Sequence, residues 1–83
     1  MRVTTVSSTT LATVVYDEAR EVMQLEFRSR AIYQYGGVPR AVHEALLGAP
    51  SKGRFFNRAI RGRFPFCRLS PSQAPVPEVP ALD

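Results

Sequence analysis

The chain has one cysteine, Cys67, one histidine, His43, and no tryptophan in 83 residues. A lone thiol excludes an intramolecular disulfide and any multi-cysteine metal site, so a core this small must be held by packing, and a reducing compartment is the simplest setting. Long apolar runs are missing too. Nowhere do the roughly 18 consecutive apolar residues of a membrane span occur, and the start, Met1 to Ser8, has no stretch of signal-peptide length. The expectation is a cytoplasmic protein with no membrane contact. The length leaves room for one domain only, and an apolar fraction of 45% is that of a folding chain rather than a disordered one.

Acid is the most informative shortage. No Asp or Glu occurs between Glu44 and Glu78, whereas Lys52, Arg54, Arg58, Arg61, Arg63 and Arg68 all fall inside that stretch. The net charge is +4 with a pI near 10, and ten of the eleven basic residues are arginine, the side chain that pairs bidentately with phosphate and stacks on bases. Nothing nearby in sequence neutralises them.

The pattern that is present reads as α+β. Leu11 to Tyr16 is β-branched and apolar, Asp17 to Arg20 breaks it, and Met23, Leu25 and Phe27 then alternate within Glu21 to Phe27. Arg28-Ser29-Arg30 is a second break, after which Ala31 to Tyr35 alternates until Gly36-Gly37. This predicts a three-stranded antiparallel meander. Val38-Pro39 opens a first helix with Val38, Val42, Ala45, Leu46 and Ala49 at helical spacing, and Ser51 caps a second helix running to about Arg61. Phe64 to Leu69 reads either as a short edge strand after Pro65 or as an apolar strap. The domain is therefore expected over 1–69, and 70–83, with four prolines among fourteen residues, is expected to be a disordered tail.

The second helix is two-faced. At about 100° per residue, Phe55, Phe56, Ala59 and Ile60 fill one arc and Arg54, Asn57, Arg58 and Arg61 the opposite one. Like charges at i,i+3 and i,i+4 cost roughly 0.2–0.5 kcal/mol per pair, and cations in a first turn oppose the helix dipole, so an anion on this face would relieve the cost. Ser51-Lys52-Gly53 offers a hydroxyl, a point charge and a close approach at the helix start, a candidate phosphate cradle. Tyr33 and Tyr35 share one strand face. A three-residue loop at Arg28-Ser29-Arg30 pairs Phe27 with Ala31 and buries both rings; a two-residue turn exposes both, where they would stack bases. An enzyme fares poorly: His43 has no partner cluster and is expected at the surface, Cys67 has no visible base, and no metal-ligand set or nucleotide loop is present.

The run Val6-Ser7-Ser8, Tyr16-Asp17, Tyr33-x-Tyr35, Val38-Pro39 and Ser51-Lys52-Gly53-Arg54-Phe55-Phe56-Asn57-x-x-Ile60-Arg61 resembles the KTSC domain, a family named for its occurrence at the C-terminus of some lysyl-tRNA synthetases. The resemblance covers roughly Val3 to Phe66 and implies a domain of this size with Tyr33 and Tyr35 as its central motif. The synthetase association implies RNA as a ligand. Relatives often carry glycine in the turn before the motif, where this chain has Arg30. The expectation is a non-enzymatic domain binding tRNA or another structured RNA, without cofactor or metal. Arg54, Arg58, Arg61 and Arg63 would meet phosphates, Ser51, Lys52 and Gly53 would grip one phosphate, and Tyr33, Tyr35 and Asn57 would touch bases or sugars. The alternative is a protein-interaction module whose arginines meet an acidic partner surface.

Overall fold

A computed structural model describes residues 2–70; the proline-rich segment from residue 71 lies outside the described residues. Strands β1 (Arg2–Thr5), β2 (Leu11–Asp17), β3 (Val22–Phe27) and β4 (Ile32–Tyr35) follow one another. Helix α1 (Arg40–Gly48) and helix α2 (Lys52–Phe55) come next, α2 continuing as a π-helical turn over Phe56–Ile60, before strand β5 (Phe66–Leu69). The five strands form one sheet in the order β1-β2-β3-β4-β5, antiparallel throughout. The α+β class stands, and the sheet is larger than the three expected strands at both edges. β1 escaped notice because four residues give too few alternations to count. β5 becomes an edge strand because Pro65, which lacks an N–H, stands just before it while its carbonyl accepts the Gly36 N–H at 3.0 Å.

Alternation decides which side chains meet the helices. Leu11, Val14 and Tyr16 of β2, Met23 and Leu25 of β3 and Tyr35 of β4 pack in one core cluster with Val38, Leu46, Phe56 and Ile60. Leu11, Met23, Leu25, Leu46 and Ile60 are wholly buried, each contributing about 1.5–3 kcal/mol of transfer free energy. A register irregularity between Leu11 and Thr13 keeps Leu11 on that face. Among the described residues no helix is long and apolar enough to cross a membrane.

The helices depart from their sequence pattern in two ways. Pro39, expected inside α1, is its N-cap residue, and Val38 lies in the approach, its N–H donating to Glu21 O at 2.8 Å and its carbonyl accepting the Tyr16 hydroxyl at 2.6 Å. The buried positions of α1 are His43 and Leu46, while Ala45 is exposed. His43 was expected at the surface and is instead 2% exposed, its ring stacked on Tyr16 at 4.3 Å and 11°. A histidine at that spacing is apolar surface as much as it is a base. The second helix ends in a wider coil: the Arg61 N–H donates to Phe56 O at 2.8 Å, five residues back, so side chains after Phe56 lag behind the positions a regular wheel assigns.

Candidate functional site

The turn between β3 and β4 is the three-residue form. The Phe27 N–H donates to Ala31 O and the Arg30 N–H to Phe27 O, both at 2.9 Å, and Arg30 itself takes a left-handed φ of 80° where glycine would sit unstrained. Tyr33 therefore pairs with Leu25 and Tyr35 with Met23, on the helix-facing side. Tyr35 is buried and Tyr33 half-buried; burial pushes the Tyr35 hydroxyl pKa above its usual value. Across the β4–β5 ladder Tyr35 pairs with Phe66 and Tyr33 with Arg68, which puts Phe66 and Arg68 on the same face.

Five rings close into a circuit there. Phe27 meets Tyr33 at 5.9 Å, Tyr33 meets Phe66 at 5.7 Å, Phe66 meets Tyr35 at 5.7 Å, Tyr35 meets Phe56 at 5.9 Å, and Phe56 returns to Phe27 at 5.2 Å. Four of these contacts are edge-to-face, between 71° and 83°, and the Tyr35–Phe66 pair is tilted at 34°. A groove of about 540 Å³ opens over the rings, with Ser29 and Ala31 among its other lining residues and Arg61 and Gly62 on the helix side. Phe66 is 59% exposed at its mouth. The guanidinium of Arg68 lies over Tyr33 at 6.0 Å and that of Arg58 over Phe55 at 5.8 Å.

Arg54, Asn57, Arg58, Arg61 and Arg63 are all exposed. Among the described residues the ion pairs join Arg20 to Asp17 and Arg40 to Glu18 and Glu44, and none involves an arginine from 54 to 68. The π-helical turn separates the arginines that the regular wheel placed together: Arg61 turns to the aromatic groove. Sequence reasoning singled out Tyr33, Tyr35 and the arginines from 54 to 63 as candidates. It passed over Phe27, Phe56, Phe66 and Arg68, and assigning Phe66–Leu69 as a strand would have put the last two beside the tyrosines.

At the helix start, Ser51, Lys52 and Gly53 line a cavity of about 420 Å³ together with Ser7, Ser8 and Arg28, and each also makes a contact within the fold. Ser51 caps, its Oγ accepting the Arg54 N–H at 3.3 Å. Lys52 Nζ donates to Ala49 O at 3.0 Å and so serves the end of α1. A Cβ on Gly53 would lie 2.6 Å from Thr10 Oγ1, so glycine there answers to the approach of the β1–β2 loop. Arg28 ties that loop down, its Nε donating to Ser8 O at 3.0 Å and its Nη2 to Val6 O at 2.9 Å. A further cavity, of about 330 Å³, lies at the other end of β3 among Arg2, Tyr16, Glu18, Arg40, His43 and Glu44. Burial, assisted by Arg2, lowers the pKa of His43 there.

The family model of the KTSC domain matches residues 7–64. The lysine–tRNA ligase of Nostoc punctiforme is 44% identical over 55 residues, covering 66% of this chain, and the chain spans only about 10% of the length of that enzyme. A protein of Stutzerimonas stutzeri is 38% identical over 61 residues, which is 74% of this chain and 86% of the relative. The crystal structure of a KTSC domain protein from Yersinia pestis superposes with a TM-score of 0.80 at 35% identity, covering 83% of this chain and 97% of the other. The chain belongs to the KTSC domain family.

Proposed function

We propose that this domain is a non-enzymatic RNA-binding module whose phosphate contacts come from Arg54, Arg58, Arg61 and Arg63. The observation that carries the reading is the exposed arginine surface of the second helix and the turn after it, which has no ion pair within it among the described residues. Guanidinium groups held without a carboxylate partner are matched by phosphate oxygens, and phosphate contacts supply position and most of the salt-dependent affinity. Ser51, Lys52 and Gly53 supply the frame: a capped, closely packed helix start that fixes where Arg54 leaves the surface. Similarity to a segment of lysine–tRNA ligases supports a tRNA or another structured RNA as the ligand class.

The test is fluorescence anisotropy of labelled RNA against salt. Binding whose log–log salt slope is about −3 or steeper is expected, since each phosphate contact contributes roughly 0.7–0.9 to the slope. Arg54→Gln, Arg58→Gln and Arg61→Gln together should remove most of the affinity with the fold retained. Absence of binding at low salt, or a triple variant that binds as the parent does, would overturn the reading and leave an acidic protein surface as the partner to seek.

A further inference from the structure

The basic surface accounts for phosphate and leaves the groove over the five rings without an occupant. Its volume, about 540 Å³, lies within the range of about 300–1,000 Å³ typical of sites for small organic groups. Its lining is aromatic, and one ring, Phe66, stands 59% exposed on an edge strand, where solubility alone would favour a polar residue. Cations stand on two sides of it: Arg61 lines it from the helix side, and Arg68 of β5 lies over the face of Tyr33, one of its lining rings. A planar, apolar-faced group carrying negative charge at its edge fits that combination. An acidic peptide would satisfy the arginines but not the flat rings, and a duplex would keep its bases stacked inside and offer the groove nothing.

Resting on the RNA reading above, we propose that the groove takes one unpaired base of the RNA, stacked on Phe66 and meeting Tyr33 edge to face, with its flanking phosphates held by Arg61 and Arg68. The ligand class is thus an RNA with a single-stranded loop or end, and not a continuous helix. The π-helical turn is the device that serves both parts of the site. By widening the coil after Phe56 it brings Arg61 to the mouth of the groove and leaves Arg54 and Arg58 on the outer surface. π-helical turns recur at functional sites for this kind of re-aiming.

The experiment uses the full chain and three probes of equal length: a single-stranded RNA with one central 2-aminopurine, its fully paired duplex, and the same single strand with an abasic central position. The proposal expects the single strand to bind at least tenfold tighter than the duplex, with the 2-aminopurine fluorescence quenched on binding. Phe66→Ala, at an exposed position that should not disturb the fold, is expected to weaken single-strand binding roughly tenfold while leaving duplex binding and the salt slope unchanged. Arg68→Gln should weaken it and reduce the slope by about one. Equal binding of single strand, duplex and abasic strand, with a steep salt slope and no effect of Phe66→Ala, would overturn the base site and leave the arginine surface standing. Failure of every RNA to bind, at low salt as well, would overturn both.

Discussion

A methyl group at residue 53 would sit 2.6 Å from the Thr10 hydroxyl oxygen and 3.3 Å from Thr10 Cβ. Threonine is stiff about χ1, so the strain would pass into the backbone of the β1–β2 loop. Gly53→Ala is expected to lower stability by about 1–3 kcal/mol, measured by urea unfolding. Thr10→Ala in the same chain should restore part of it, and strictly additive losses would show that the two residues do not press on each other. His43 gives a prediction in pH. Its ring is buried against Tyr16, and Nε2 is buried without a hydrogen-bond partner among the described residues. Burial is the larger cause of its lowered pKa and Arg2 the next, while Glu44 and Glu18 act in the opposite sense. Because the folded pKa lies below the ordinary 6.5, the unfolded chain takes up the proton first as pH falls. The stability of the neutral stack is then complete above about pH 6.5 and declines below it until the folded pKa is passed. The urea midpoint should hold from pH 8 to 7 and fall between 6.5 and 5, and His43→Phe should flatten that fall. A slope unchanged by the substitution would place its origin elsewhere. Measurement above pH 5 keeps Glu44, whose pKa Arg40 lowers from 4.5 by a hydrogen bond and its charge, out of the window.

At the scale of the element, the end of the second helix is held by a turn that only glycine completes without strain. Arg61 has φ −62° and ψ 123°, Gly62 has φ 74°, and the Arg63 N–H donates to Ile60 O at 2.9 Å, the pattern of a type II turn. Gly62→Ala is expected to cost about 1–2 kcal/mol and, by moving Arg61 off the groove, to weaken RNA binding more than that loss of stability explains. An RNA affinity equal to the parent's would separate the turn from the site. How much of this element was legible follows from its physics. The Ser51 cap, the burial of Phe56 and Ile60 and the exposure of the arginines follow from residue type and period. The π-helical turn does not, because period counting assumes the regular coil that packing overrides between Phe56 and Arg61. The strands divide the same way. β2, β3 and β4 alternate over enough residues to be read, and the loop length at Arg28-Ser29-Arg30 fixed the face of Tyr33 and Tyr35 only once backbone hydrogen bonds were seen. The edges, β1 and β5, are four residues each, and it is β5 that turns two tyrosines into a five-ring groove.

At the scale of the molecule, charge is divided along β3. The turn before it carries Glu18 and Arg20 and lies beside Glu44 and Arg40, where the ion pairs are; the turn after it abuts the groove and Arg61. Tyr16, beside the ion-paired turn, and Phe66, at the groove, stand in one row across β2, β3, β4 and β5, about 14 Å apart at roughly 4.8 Å per strand, against a screening length of about 8 Å at physiological salt. Screening thus weakens the acidic turn at the far side of the groove, and a ligand there responds more to the arginine surface than to the net charge of +4. This separates a local site from the general attraction of any basic protein for nucleic acid. Glu18→Gln with Glu44→Gln raises the net charge by two, as much as Arg54→Gln with Arg58→Gln lowers it. At about 0.15 M salt, where that screening length applies, the glutamate pair should leave RNA affinity within about twofold, because its charges lie across the sheet from Phe66 and are screened by salt. The arginine pair should weaken binding on the order of tenfold or more, since log affinity follows the number of phosphates neutralised. Affinity that rose with the glutamate change as much as it fell with the arginine change would mean that net charge governs binding. The arginines from 54 to 63 would then have no privileged place in it.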